Sequence, residues 1–300
     1  MNKYSKNYLD KISSSKVYDV AIKSPITKAE SVSSQFSNNI FLKREDLQPT
    51  HSFKIRGAYN KISNLVEKEN AKHVVTASAG NHAQGVAYSA KSLKIRSTIF
   101  MPRTTPSIKV ESVKSYGAKT VLVGDNFDEA LEESLNFCKT KNLPFIHPFD
   151  DPFVIAGQGT IGKELLDQFD KKIDIIFIAV GGGGLISGIG AYVKTVNPKI
   201  KIVAVEAADA AGLNSSLKAN RRIKLKEVGL FADGAAAKQI GKHNYKLIKE
   251  WIDDSITVST DEICAAVKDT FIDTRTIPEP TGALALAGLK KYVINKKIKN

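Results

Sequence analysis

The sequence predicts an α/β protein built on mainly parallel sheets, and three observations carry that reading. Apolar, β-rich runs alternate with segments of helical period over most of the 300-residue chain. The runs are as apolar as strands covered by helices on both faces need to be. Glycine-rich and small-residue stretches follow individual strands directly, and the carboxyl ends of strands are where parallel α/β sheets gather their ligands.

Taken in order, strands are expected at 40–45 (IFLKRE), 73–78 (HVVTAS), 96–101 (RSTIFM), 119–124 (KTVLVG), 144–149 (PFIHPF), 173–180 (IDIIFIAV), 201–207 (KIVAVEA) and 255–259 (SITVS). Helices fill the intervals, for example 80–94 (GNHAQGVAYSAKSLK) and 260–275 (TDEICAAVKDTFIDTR). In the second, Thr260 and Asp261 precede an apolar stripe of Ile263, Val267 and Phe271, which reads as an N-terminal cap. The strands after Lys54 form two sets, one from Val74 to Phe149 and one from Ile173 onward. Two lobes with a cleft between them are therefore expected. Repeats and low-complexity linkers are absent from the sequence.

Composition narrows the classes of function. Hydrophobic residues at 42% and charged residues at 25% describe a globular chain able to bury a sizeable core. No stretch approaches the roughly 20 apolar residues of a membrane helix, and the opening MNKYSKNYLDKISSSK has no apolar block of the kind a secretory signal carries. Cys138 and Cys264 are too few for a disulfide framework or a zinc site, so a reducing cytoplasm is expected. The formal charge of +13 raises nucleic-acid binding. Its excess, however, is lysine scattered among Glu and Asp, and arginine, the better bidentate phosphate ligand, is scarce. No nucleic-acid or membrane partner is expected, while small anionic ligands suit the charge.

Three stretches carry chemistry. Gly181, Gly182, Gly183 and Gly184 follow the strand IDIIFIAV and lead into LISGIG. Four glycines at a strand–helix junction let a ligand approach the backbone, and successive N–H groups with a helix start behind them make a phosphate cradle. A dinucleotide fingerprint is incomplete here, because Ile186 or Ser187 stands where its last glycine belongs. Glu206 does end the next strand, so a nicotinamide-dependent enzyme stays open as an alternative. The P-loop-like GQGTIGK at 157–163 is followed by Glu164 instead of Ser or Thr and reads as coincidence. In TASAGNHAQG, 76–85, Ser78, Ala79 and Gly80 open a helix whose first side chains are Asn81 and His82. N–H groups at such a turn suit a carboxylate. The five histidines make no metal-ligand spacing, and no metal site is expected.

The third stretch is THSFKIRG, 50–57, which places Lys54 in the first turn of a helix. An ammonium is poorly placed at the positive end of a helix dipole. A free lysine, with a pKa near 10.4, is neutral in only about one molecule in 2,500 at pH 7. Burial between Phe53 and Ile55 together with the helix start favours the neutral amine or an imine. An imine-forming lysine, a phosphate cradle and a carboxylate loop together point to pyridoxal phosphate.

The segments LKREDLQPTHSFKIRGAYN (42–60), TASAGNHAQGVA (76–87), PFDDPFVIAGQGT (148–160), VGGGGLISG (180–188), VEAADA (205–210), GLFADGAA (229–236) and EPTGALALAGLKKY (279–292) resemble the biosynthetic threonine deaminases, or threonine ammonia-lyases, of the fold-type II pyridoxal-phosphate family. The resemblance runs from about Val17 to the last residue, and serine racemases look less similar. It implies a two-lobed enzyme, each lobe a mainly parallel sheet flanked by helices. Residues 1–53 and 149–300 would form a large cofactor-binding lobe, with 54–148 as a small lobe inserted in it. It further implies that Lys54 holds the cofactor as an imine and then serves as the base, with Phe53 against the cofactor ring. Asn81 would bond the ring hydroxyl, Gly181 to Gly184 and Leu185 would hold the phosphate, and the Ser78–His82 loop would take the substrate carboxylate. The implied reaction converts L-threonine, with L-serine as an alternative substrate, to 2-oxobutanoate and ammonia, the first step toward isoleucine. A homo-oligomer, tetrameric in full-length form, is implied as well. Other reactions on the same cofactor, such as racemisation or β-replacement, remain alternatives.

Two departures bear on these expectations. The acidic cluster that binds a divalent metal in serine racemase-like members is incomplete after Glu206. The chain also stops at INKKIKN, before the family's Ser-Gly-Ala-Asn segment that meets the pyridine nitrogen and before any regulatory domain. A fragment that binds cofactor more weakly than a longer form is therefore expected.

Overall fold

The computed structural model describes residues 3–298; the outermost residues of the two lysine-bearing termini lie outside the described range. In chain order the elements are α1 (Lys3–Ser13), β1 (Ile26–Lys28), α2 (Glu30–Phe36), β2 (Phe41–Lys43), α3 (Lys54–Glu69), β3 (His73–Ala77), α4 (Asn81–Ser92), β4 (Arg96–Met101), α5 (Ser107–Ser115), β5 (Lys119–Leu122), α6 (Phe127–Lys141) and α7 (Pro152–Gln168). They continue with β6 (Ile175–Ala179), α8 (Gly184–Val196), β7 (Lys201–Ala207), α9 (Gly212–Lys218), α10 (Lys242–Trp251), β8 (Asp254–Val258), α11 (Thr260–Thr274) and α12 (Pro280–Lys296).

The chain divides into two compact units, the first comprising Met1–Leu9, Ser24–Arg44 and Ile161–Asn300, the second Asp10–Lys23 and Glu45–Thr160. To the expected 54–148 this second unit adds Asp10–Lys23, residues 45–53 and residues 149–160.

The second unit holds a parallel sheet in the order β3-β4-β5. Strands β3 and β4 are buried along all but their first residues because both faces are covered, while β5 stays partly exposed. Val74, Ile99 and Met101 face a core supplied by Ala58 and Ile62 of α3, Val86 and Ala87 of α4, and Val110 and Val113 of α5. Their neighbours Val75, Ala77 and Phe100 point to the other face, where Cys138, Leu131 and Phe137 of α6 pack. The strand expected at 144–149 is reduced to a parallel bridge between Val75 and Phe145. Pro144 and Pro148 lack the N–H donors a longer ladder would use.

The first unit repeats the plan with the parallel order β6-β7-β8. Val205, Ala207 and Val258 pack on Ile263 and Ala266 of α11 and on Ala283, Leu284 and Ala287 of α12. Strand β1, which the sequence reading did not anticipate, pairs antiparallel with β2 from Ile26↔Lys43 to Lys28↔Phe41. The cap of α11 is Ser259, not Thr260 or Asp261. Its hydroxyl accepts from the Glu262 N–H while the Glu262 carboxylate accepts from the Ser259 N–H, a complete capping box. Of the apolar stripe expected there, Ile263 is buried while Phe271 is exposed.

Candidate active site

Lys54 is the first residue of α3, with Phe53 as the N-cap. Its Nζ donates to the Pro148 carbonyl at 3.3 Å and lies 5.3 Å from the centre of the Phe53 ring. The side chain is half-buried, so the amine is held without being sealed. Two residues on, Arg56 is fully buried, and it ties the helix start to the rest of the unit. Its guanidinium donates to both Glu45 carboxylate oxygens at 2.8 Å, to the Thr160 hydroxyl at 3.1 Å and to the Ile22 carbonyl at 3.1 Å. This bidentate pair has the fork geometry that arginine supplies and lysine does not.

The Ser78–His82 stretch turns from β3 into α4. The Ser78 hydroxyl accepts from the Gly80 N–H at 3.2 Å, and Gly80 is the N-cap. Ser78, Ala79, Gly80 and Asn81 are partly open to solvent, whereas His82 is buried. A Cβ built on Gly85 would lie 3.1 Å from the Lys54 carbonyl carbon, so a side chain there would press α4 off the Lys54 turn by a few tenths of an ångström. Burial, followed by the nearby Lys54 charge, lowers the His82 imidazole to about 3, with the bond to the Ile146 carbonyl acting in the opposite sense. The ring is therefore neutral at pH 7, with Nε2–H donating to Ile146 at 3.0 Å. Its Nδ1 is buried and has no hydrogen-bond partner in the structure. The second unit thus brings together Phe53, Lys54 and the Ser78–His82 turn.

The glycine run lies in the first unit, after β6. Gly183 is the N-cap of α8 with φ +95°, a conformation that needs glycine. A Cβ on Gly183 would meet Ile248 Cδ1 at 2.9 Å, and one on Gly181 would meet the Ala235 Cα at 2.8 Å. The Gly182 carbonyl accepts from Asn244 Nδ2 at 2.9 Å and from the Gly241 N–H at 3.1 Å. The first N–H groups of α8, from Gly184 onward, have no acceptor within their own helix. A backbone stripped of side chains at a helix start fits a phosphate, and a lysine amine at a second helix start fits an aldehyde. The residues present suit pyridoxal phosphate. Among the described residues no cluster of His, Cys, Asp and Glu suits a metal ion.

Glu206 bears on the nicotinamide alternative. Its carboxylate accepts from the Leu213 and Asn214 N–H groups, each at 2.7 Å, at the start of α9. Burial raises its pKa to about 7 against those two bonds. A ribose-binding carboxylate must face its ligand, and this one is turned into the protein. GQGTIGK lies inside α7 and forms no loop, as its reading as coincidence requires. Sequence reasoning missed Arg56, Glu45, Gly241 and Asn244 as supports of the site. Asn244 sits 62 residues from the carbonyl it holds, and no local pattern connects the two.

The fold is a pair of parallel-sheet α/β units, one carrying a glycine-stripped helix start and the other a lysine at a helix start. The profile described as "Pyridoxal-phosphate dependent enzyme" matches residues 17–300, and the chain belongs to that family. It is 52% identical over 295 residues to the mitochondrial threonine dehydratase of Schizosaccharomyces pombe, covering 98% of this chain and 49% of that protein. It is 53% identical over 286 residues to the biosynthetic L-threonine dehydratase of Pasteurella multocida, covering 95% and 56%. The chain thus spans about half the length of the curated relatives it matches. The processed form of threonine deaminase isoform 2 from Solanum lycopersicum superposes with a TM-score of 0.97 at 46% identity, covering 100% of this chain and 82% of that one. Maize serine racemase superposes at 0.89 with 34% identity, covering 93% and 85%.

Proposed function

We propose that the chain converts L-threonine to 2-oxobutanoate and ammonia by α,β-elimination, the entry step to isoleucine. The observation that carries the reading is the pairing of the Lys54 turn with the start of α4, a reactive amine beside a helix terminus suited to a carboxylate. Bound pyridoxal phosphate supplies an electron sink for the charge left at the substrate α-carbon. Lys54 would hold the cofactor through Nζ, and the same amine would take the substrate α-proton. Phe53 would flank the cofactor, Asn81 would bond its ring hydroxyl, and Gly181 to Gly184 with Leu185 would hold its phosphate. The N–H groups of Ser78 to His82 orient the substrate carboxylate. His82 stays neutral, so the loop gains no second positive charge that would hold product after elimination.

Borohydride reduction with pyridoxal phosphate, followed by mass mapping of modified lysines, tests the site. Label concentrated on Lys54, and lost in Lys54→Ala, is the expected result; label spread thinly over surface lysines overturns it. The similarity to a serine racemase favours one rival, racemisation of serine. Product analysis separates the two, because 2-oxobutanoate from threonine supports the lyase and D-serine as the main product defeats it. A homo-oligomer and a cytoplasmic location complete the proposal. Among the described residues no helix is long and apolar enough to cross a membrane. Exposed Leu230 and Phe231 offer apolar surface for association, which light scattering would measure.

A further inference from the structure

We propose that Asn244 is a positioning residue for the phosphate cradle, aiming the Gly183 N–H, and that selection of a phosphorylated cofactor depends on it. The inference rests on the reading of Gly181 to Leu185 as the phosphate site. Asn244 is fully buried on α10, on a face otherwise made of Tyr245, Leu247, Ile248 and Trp251. A polar side chain on such a face is costly unless its hydrogen bonds are made. Its Nδ2 donates to the Gly182 carbonyl at 2.9 Å, and the Gly241 N–H donates to the same oxygen at 3.1 Å.

A trans peptide holds its C=O and N–H on opposite sides of the bond. Fixing the Gly182 carbonyl toward α10 therefore directs the Gly183 N–H away from α10. It also removes a carbonyl dipole that would repel an anion if the peptide turned over. Gly183 itself cannot resist that turn, since glycine accepts either sign of φ. Two donors on one oxygen supply the resistance. The position beneath is tightly filled: a Cβ on Gly183 would lie 3.0 Å from Asn244 Cβ, so α10 directly supports the loop.

Titrating the intact, cofactor-free chain with pyridoxal phosphate and with pyridoxal, which lacks the phosphate, separates aiming from mere support. Asn244→Ala is expected to bind pyridoxal phosphate roughly tenfold more weakly and to bind pyridoxal within about twofold of the parent. Asn244→Asp keeps the volume and sets an acceptor against the Gly182 carbonyl. It is expected to lose at least as much, and it stands in if the alanine variant fails to fold. Equal loss for both ligands, or loss for neither, overturns the role of Asn244. If the parent chain binds pyridoxal as tightly as pyridoxal phosphate, the phosphate reading of the glycine run itself falls, a result distinct from the failure of Asn244 alone.

Discussion

Arg56 shows how the Lys54 turn is held at the scale of single residues. Its guanidinium is wholly buried, and Glu45, its partner, is only 15% exposed. Each charge is tolerable there because the other is present. Removing one partner leaves an uncompensated charge, which typically costs about 3–5 kcal/mol. Arg56→Met should therefore lower the unfolding free energy by about that much in urea titrations. Arg56→Met combined with Glu45→Met should recover most of the loss, because no charge then remains buried. A double variant as unstable as the single one would show that the cost lies in packing. Nothing in REDLQPTHSFKIRG marks Glu45 and Arg56 as partners. The glycine run and the Lys54 turn were legible because each carries its chemistry in consecutive residues. The arginine network, like Asn244, was not, because its members converge only through the fold.

Between elements, small residues set how closely the helices approach. A Cβ on Gly157 of α7 would lie 2.6 Å from the Arg56 carbonyl oxygen of α3. The oxygen belongs to the backbone of α3 and the Cβ is fixed rigidly to that of α7, so neither can turn aside. Gly157→Ala should push α3 and α7 apart and cost roughly 1–3 kcal/mol, as overpacked cores do. Thermal unfolding would record this as a lowered midpoint, and an unchanged midpoint would mean the two helices are free to slide. On α11, Ser259→Ala removes one half of the capping box and should cost about 1 kcal/mol by the same measurement. The elements themselves were largely legible, since apolar strands and helical periods survive in sequence. Strand 144–149 failed because prolines at both ends remove donors, a backbone property that hydrophobicity does not report. Strand β1 was missed because its three residues pair only through β2. The cap of α11 was misplaced by one residue, because Ser, Thr and Asp in succession all suit a cap, and only the reciprocal bonds to Glu262 decide it.

At the scale of the whole molecule, the buried groups His82 and Glu206 titrate in opposite senses, and each adds its own slope to the pH profile of stability. His82 is lowered from 6.5 to about 3. Between those values the unfolded chain binds a proton that the folded chain does not, so stability rises with pH by about 1.4 kcal/mol per unit. Glu206 is raised from 4.5 to about 7. Across that window the folded chain holds the extra proton, and stability falls with pH by about the same slope. The windows overlap from pH 4.5 to 6.5, where the two contributions offset one another. Substitution unmasks each one. In Glu206→Gln, which stays neutral, stability should climb through the overlap by about 2–3 kcal/mol in all. In His82→Asn, which keeps a donor for the Ile146 carbonyl, it should decline through the same interval by a similar amount. Urea titrations at half-unit pH steps would measure both slopes. Parallel profiles for parent and variants would show that neither group is protonated differently in the folded and unfolded chains. Opposite slopes relative to the parent would show that the contributions of a turn beside Lys54 and of a strand end in the other unit offset one another there.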